Sequence, residues 1–228
     1  MFIKKGATNI KEKKELLACL LQYITENKKR KIEQKIVHRT RHLTVVLEEV
    51  YQSHNASAIL RSAECFGLQD VYVVQNRNRF NAKGAISMGA SKWLSVKSYN
   101  RIADCCKDLK KRGYKIVATT PHKHSYTLDQ LPIDTKCALL FGTEETGLTQ
   151  EAMNLADEFV TIPMYGFTES FNVSVSVAIC VHYLIEKIKN SKIKWELSEK
   201  ELLDLRLEWA RAIIPCAKSL SELFHQLR

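Results

Sequence analysis

Short apolar runs set at regular distances, with helix-length segments between them, constrain this chain more than any other feature. The runs at 43–47, 71–74, 115–119, 137–141 and 158–162 are rich in Val, Ile, Leu and Phe and too short for helices, so they read as buried strands. A further short strand is predicted at 93–97. Helical patterns fill 55–66, with Asn55 as N-cap and Gly67 as stop, and 101–112, which ends at Gly113. Others are placed near 149–156 and from about 170 to 189. This alternation predicts an α/β fold, a mainly parallel sheet with helices on both faces. Ligands in such sheets bind beyond the carboxyl ends of the strands, which directs attention to the loops after Leu47, Thr119, Phe141 and Ile162.

The flanks differ in charge from this core. Residues 1–42 hold 12 Lys/Arg against 4 Glu, giving +8 of the chain's net +10, whereas 43–184 balance at zero. Leu16, Leu17, Leu20, Leu21 and Ile24 fall at helical spacing, so the basic extension is predicted to be helical. Its densest part, Lys28 to Arg41, has seven basic residues and one acid, Glu33. Either this is a solvated helix face, or Lys28, Lys29, Arg30, Lys31, Arg39 and Arg41 bind a polyanion by releasing its counterions. A membrane surface is disfavoured, since no Trp, Phe or Leu is interleaved. A charged stretch at 187–194 precedes a second amphipathic helix at 198–212. The expected division is 1–42 as a basic helical extension, 43–189 as the α/β domain and 190–228 as a C-terminal helical extension.

Several classes are excluded. No apolar run reaches the roughly 18 residues of a membrane span, and Met1-Phe2-Ile3-Lys4-Lys5 does not begin a secretory signal. The seven cysteines are odd in number, lack a C-x-x-C and sit mostly in apolar runs, as expected for buried thiols in a reducing cytoplasm. No G-x-G-x-x-G follows a strand, and no G-x-S-x-G is present. The run Gly142-Thr143-Glu144-Glu145-Thr146-Gly147-Leu148-Thr149 has the outline of a phosphate-binding loop. It carries Leu148 where the lysine must stand and two glutamates that would repel a triphosphate. His122-Lys123-His124 has no carboxylate or cysteine at ligand spacing, so no metal is expected.

Three segments carry the chemistry. The first, His54-Asn55-Ala56-Ser57-Ala58-Ile59-Leu60-Arg61-Ser62-Ala63-Glu64-Cys65-Phe66-Gly67, has an apolar helical stripe of Ile59, Ala63 and Phe66 with Arg61 opposite. In the second, Leu139-Leu140-Phe141-Gly142-Thr143-Glu144-Glu145-Thr146-Gly147-Leu148, a buried strand enters a loop whose glycines let backbone approach a ligand. The third runs Ile162-Pro163-Met164-Tyr165-Gly166-Phe167-Thr168-Glu169-Ser170-Phe171-Asn172-Val173-Ser174-Val175-Ser176. Its polar residues alternate with apolar ones, and period alone reads it as a strand.

In this order and spacing the three segments resemble motifs 1, 2 and 3 of the SpoU family, and are most similar to its TrmH branch, the tRNA guanosine-2′-O-methyltransferases. The resemblance covers about residues 38 to 185. Departures are Phe167-Thr168-Glu169 within the third motif, Glu145 where lysine is common, and Gln52-Ser53 where Lys-Pro is usual. The resemblance implies a C-terminal trefoil knot, a homodimer, S-adenosylmethionine as methyl donor and tRNA as substrate. It also implies a loop to Ser170 followed by a helix. Matched by motif position, Arg61 is the catalytic arginine, with Asn55, Glu144, Ser170 and Asn172 lining the active site. Thr119, Gly142, Ile162, Met164 and Phe171 correspond to the donor-binding loops, and the basic extension corresponds to an RNA-binding arm. A guanidinium rarely loses its proton, so Arg61 is expected to act as a cation stabilising charge on the 2′-oxygen rather than as a base. Methylation of ribosomal RNA or another tRNA position is the alternative within the class. A non-catalytic RNA-binding protein on the same fold is the alternative outside it.

Overall fold

A parallel sheet needs both faces covered, because its crossovers are helices and its strands are apolar throughout. Residues Thr40–Trp195 are built in this way in the computed structural model, which describes residues 9–50, 52–75, 89–121 and 125–226. Seven strands, β1 (Leu43–Glu48), β2 (Asp70–Val74), β3 (Ser95–Tyr99), β4 (Tyr114–Thr119), β5 (Tyr126–Thr127), β6 (Lys136–Phe141) and β7 (Glu158–Thr161), form one sheet. Every pairing is parallel, in the order β3-β2-β1-β6-β4-β7-β5. The two-residue β5 at the sheet edge escaped sequence reading, being too short to carry a period. Most of the 76–92 loop and all of His122-Lys123-His124 lie outside the described residues.

The helices are α3 (Ser53–Cys65), α4 (Ile102–Lys111), α5 (Gln150–Leu155) and α6 (Val173–Lys189). Because side chains alternate across a strand, each apolar run serves two cores. Val45, Leu47, Leu139 and Phe141 pack with Ile59 and Ala63 of α3 and Val177, Val181 and Leu184 of α6. Val46, Ala138 and Leu140 pack on the other face with Cys105, Cys106 and Leu109 of α4. Cys105, Cys106, Cys137 and Cys180 are buried free thiols; burial pushes Cys137 up to about 11 and Cys180 up to about 12. Cys65 and Cys216 are exposed.

Two helix starts differ from expectation. Asn55 is not an N-cap: α3 begins at Ser53 after Gln52, and Asn55 is 3% exposed within its first turn. The third motif is helical rather than extended, but from Val173, with Asn172 as N-cap accepting from the Ser174 amide at 2.9 Å. The period of two lasts only to Ser176. Beyond it the buried residues Val177, Cys180, Val181, Leu184, Ile185 and Ile188 follow helical spacing.

The second unit combines the described residues up to Arg39 with those from Glu196 onward. It contains α1 (Ile10–Leu21), α2 (Glu26–Ile36), α7 (Glu199–Ile213) and α8 (Ala217–Gln226). The terminal stretches are thus one folded unit rather than two extensions, and its edges fall after Arg39 and before Glu196 instead of at 42 and 190. Leu16, Leu17 and Leu20 pack on Leu203, Leu207 and Ala210, which neither terminal segment could bury alone. Ser198 and Glu201 form a capping box at the start of α7, and Arg206 holds Glu33 through two nitrogens at 2.7–3.2 Å. The helix α8 was not anticipated.

At the amino ends of the strands, Asp70 (side chain 2% exposed) accepts from Arg41 Nε at 3.2 Å and Arg112 Nη2 at 2.8 Å. Asp70→Asn is expected to lower the unfolding free energy of the chain by about 2 kcal/mol. This is below the range for a fully buried pair, since both arginines keep some solvent contact. Urea denaturation of the two proteins measures it, and an unchanged midpoint would show that the pair stabilises nothing.

Candidate active site

Strand β6 ends at Phe141, and the chain then doubles back on itself. Thr143 and Gly147 exchange backbone hydrogen bonds of 3.1 Å, and Thr143 Oγ1 accepts from the Thr146 amide at 3.1 Å. Gly147 adopts φ 68°, a conformation glycine takes without steric cost. A Cβ at Gly142 would overlap the backbone of Gly147 and Leu148, so glycine is required there by the loop's own closure. The folded loop directs Glu144 toward α3 and α6.

Glu144 joins the three sequence motifs. Its Oε1 accepts from Asn55 Nδ2 at 3.1 Å, from the Val173 amide at 3.3 Å and from Asn172 Nδ2. Asn172 Nδ2 also donates to Asn55 Oδ1 at 3.1 Å, and Asn55 Nδ2 to Gln52 Oε1 at 2.9 Å. Hydrogen bonds to a carboxylate are the stronger kind, and this one holds residues that lie 89 and 28 positions from Glu144.

A cavity of about 520 Å³ opens beside this cluster, lined by Asn55, Glu144 and Glu145 with Glu48, Glu49 and Thr146. Sequence reading missed Glu48 and Glu49. Glu48 is 1% exposed and accepts from the Thr149 amide at 2.9 Å and the Thr149 hydroxyl at 2.7 Å, anchoring the start of α5. Glu49 has φ 58°, a strained value for a residue with a side chain, and strain of this kind gathers at functional sites. The available signal was position: two carboxylates directly end a fully buried strand, at the carboxyl edge where ligands bind. The described cavity wall offers the carboxylates of Glu48, Glu49, Glu144 and Glu145, the amides of Gln52 and Asn55 and the hydroxyls of Thr143, Thr146 and Thr149.

A second, smaller cavity of about 100 Å³ lies where β4 and β7 end and α6 begins. Thr119, Ile162, Met164 and Phe171 line it together with Ser170, which therefore groups with these residues rather than with Asn55, Glu144 and Asn172. Thr119 is held by its hydroxyl, which donates to Leu140 O at 2.7 Å. Gly142, expected with this set, is not among the lining residues. Arg61 is exposed on α3, about 9 Å along the axis from Asn55. It makes no hydrogen bond or ion pair among the described residues, and the 240° between the two positions turns it away from the Glu144 cluster.

The basic candidates divide. Lys28 and Lys31 are exposed on α2, Lys29 donates to Glu26 at 2.6 Å, and Arg30 donates to Asn27 at 3.3 Å. Arg39 is 3% exposed, its guanidinium 5.2 Å from the Trp209 ring centroid, and Arg41 is held by Asp70. These last two serve the fold, Arg39 by its burial against Trp209 and Arg41 by its ion pair with the buried Asp70.

The family model described as the SpoU rRNA Methylase family matches residues 42–182. A tRNA (guanosine(18)-2′-O)-methyltransferase of Borreliella burgdorferi is 41% identical over 198 residues, covering 87% of this chain and 91% of that one. The protein of the same name from Escherichia coli is 34% identical over 152 residues, 67% of this chain and 66% of its own. Among solved structures, the TrmH/SpoU tRNA modifying enzyme of A. aeolicus is similar with a TM-score of 0.72 and 27% identity, over 83% of this chain and 98% of that chain.

Gly142→Ala is expected to prevent the 143–147 loop from closing. Amide exchange at Thr143 and Gly147 should then quicken by about tenfold or more, the effect of losing about 1.4 kcal/mol of local protection. Native protection at both amides would show that the loop can move aside.

Proposed function

Because the chain belongs to the SpoU rRNA methylase family, we propose that it transfers a methyl group from S-adenosylmethionine to a ribose 2′-hydroxyl of tRNA, at the guanosine for which its relatives are named. The observation that carries this reading is the Asn55–Glu144–Asn172 cluster. It unites one residue from each motif at the carboxyl edge of the sheet, beside a cavity of about 520 Å³, within the range of small-ligand sites. The trefoil knot that the family implies is part of this proposal.

The residues of the smaller cavity suit the donor. Apolar Ile162, Met164 and Phe171 are joined there by the hydroxyl-bearing Thr119 and Ser170, a chemistry that suits an aromatic ring with a polar edge. About 100 Å³ takes only part of such a molecule, so the 162–171 loop must give way to admit all of it. When bound, the donor supplies an electrophilic methyl group on a sulfonium.

The protein's own task is then to orient the 2′-oxygen for in-line attack and to stabilise its developing charge. Asn55 and Glu144 are the orienting groups, held to one another and to Asn172. Arg61, exposed and turned away from this cluster within its own chain, serves as a cation that binds an adjoining phosphate and offsets the developing charge. Lys28, Lys29, Arg30 and Lys31 of α2 contact tRNA phosphates. Dimerisation is part of the same reading. Val175 and Tyr183, 43% and 41% exposed, follow one another at four-residue spacing with the half-buried Ile179 along α6. An apolar stripe of this kind is covered by a second copy of the chain.

Two measurements test these claims. Arg61→Ala should lower tRNA methylation by about 10²–10⁴-fold with donor affinity unchanged; turnover within threefold of wild type would remove Arg61 from the mechanism. In sedimentation, the double variant Val175→Asp with Tyr183→Asp should be monomeric at concentrations where the wild type is dimeric. A dimer that persists would place the subunit contact elsewhere.

A further inference from the structure

The neutral balance of residues 43–184 hides a separation of charge. Four glutamates, Glu48, Glu49, Glu144 and Glu145, line the larger cavity. Residues 92–115 hold eight Lys/Arg against two Asp, giving +6 within a single stretch of 24 residues. An acidic cavity repels a polyanion, so RNA is held beside it only where a basic surface of the same unit offsets that repulsion.

Not every cation in this stretch is available. Arg112 is bound to Asp70 at 2.8 Å, Lys110 to Asp157 at 2.6 Å, and Lys115 faces Glu158 at 3.8 Å. Arg101, Lys107 and Lys111 are exposed and make no hydrogen bond or ion pair among the described residues. The nearby acids are Asp108, whose Oδ2 accepts from the Tyr99 hydroxyl at 2.7 Å, and the exposed Asp104. Ile102, Cys105, Cys106 and Leu109 bury the opposite side of α4, so Lys107 and Lys111, four apart, point outward. Lys97 of the edge strand β3 adds a further exposed charge, its Nζ 5.8 Å from the Tyr72 ring centroid on the sheet face that α4 covers.

The placement of α4 gives this surface a direction. Strand β3 ends at Tyr99, so Arg101 stands at the carboxyl edge of the sheet, the edge at which Glu48 ends β1. Strands β3 and β1 are separated only by β2, about 10 Å between axes. Lys107 and Lys111 follow about 9 and 15 Å further along the helix axis. The positive surface therefore starts at the site's edge of the sheet and leads away from it.

We propose that Arg101, at the start of α4, together with Lys107 and Lys111 on its outer face, forms a second RNA-binding surface that holds the phosphate backbone of the substrate beside the acidic cavity. The inference rests on the reading of the substrate as RNA. It concerns the α/β unit itself, separately from the cations of α2. Contacts to phosphate position the strand without reading its bases, so this surface sets affinity and leaves the choice of nucleotide to the site.

Filter binding of the full chain to tRNA across several salt concentrations tests it. Arg101→Gln, Lys107→Gln and Lys111→Gln together should weaken binding and reduce the slope of log affinity against log salt by about 2 to 3, at 0.7 to 0.9 per lost contact. The charge-preserving set Arg101→Lys, Lys107→Arg and Lys111→Arg should keep the wild-type slope, and thermal melting shows whether each variant is folded. A wild-type slope in the folded Gln variant overturns the proposal, as does an equal fall in both sets, which would mean shape rather than charge. Loss of the α2 cations should lower the slope by a separate amount. Wild-type protein that neither binds nor methylates tRNA would instead defeat the reading of the substrate on which the proposal stands.

Discussion

The site depends on one carboxylate that three donors share. Glu144 Oε1 accepts from two side-chain amides and one backbone amide, drawn from α3 and from the start of α6. A carboxylate can take several donors at once, and each bond is charge-assisted. Alanine at this position would take the charged acceptor from Asn55 Nδ2, Asn172 Nδ2 and the Val173 amide, leaving the two side chains only their neutral partners Gln52 and Asn55. Asn172 could then still cap α6 and reach Asn55 of α3, but only through a neutral hydrogen bond. The close turn at Gly142 and the hairpin closed by Thr143 and Gly147 exist to hold that carboxylate in place.

Around this point the α/β unit divides its charge. The carboxyl edge of the sheet gathers Glu48, Glu49, Glu144 and Glu145, and the amino edge gathers Arg41 and Arg112 about Asp70. The two arrangements do different work. Asp70 is buried, its two arginines half-buried, and its ion pairs fix the entry of β2 against β1 and β4. At the opposite edge the exposed Glu144 and Glu145 face an open cavity, where acceptors can meet hydroxyl and amino groups of a ligand, while Glu48 is buried against Thr149. Cations that remain exposed, such as Lys107 and Lys111 in this unit and Lys28 and Lys31 in the other, lie on the outward faces of helices whose inner faces are apolar. Burial thus sorts the basic residues into structural ones and ones available to a partner.

The fold was largely legible in the sequence because its signals are local. Strands that are apolar along their whole length, with helix-length intervals between them, admit few arrangements other than a covered parallel sheet. The glycines at 67 and 113 ended their helices as expected, with φ of 84° and 81°. Where the local signal was short, it misled. The alternation from Ser170 to Ser176 is too brief to outweigh the helical spacing beyond it, and the Asn55 side chain is taken up by a long-range partner instead of a cap. The candidate residues Asn55, Glu144 and Asn172 came from motif resemblance, since nothing in the local pattern around them shows that they touch.

By itself, then, the sequence determined the class of fold, and it pointed to the carboxyl edge of the sheet and to the residue types of the candidate site. Periodicity, turn glycines and apolar runs act over a few positions, and the chain displays them directly. Tertiary structure alone decided which of the cations are free, since Arg39 against Trp209 and Arg41 against Asp70 are contacts across 170 and 29 positions. It also decided that the two ends of the chain share one core, that Ser170 belongs with Thr119 and Ile162, and that Glu48 and Glu49 wall the cavity. Burial and pairing are properties of neighbours in space, and helical crossovers bring together residues whose sequence separation carries no trace of the contact.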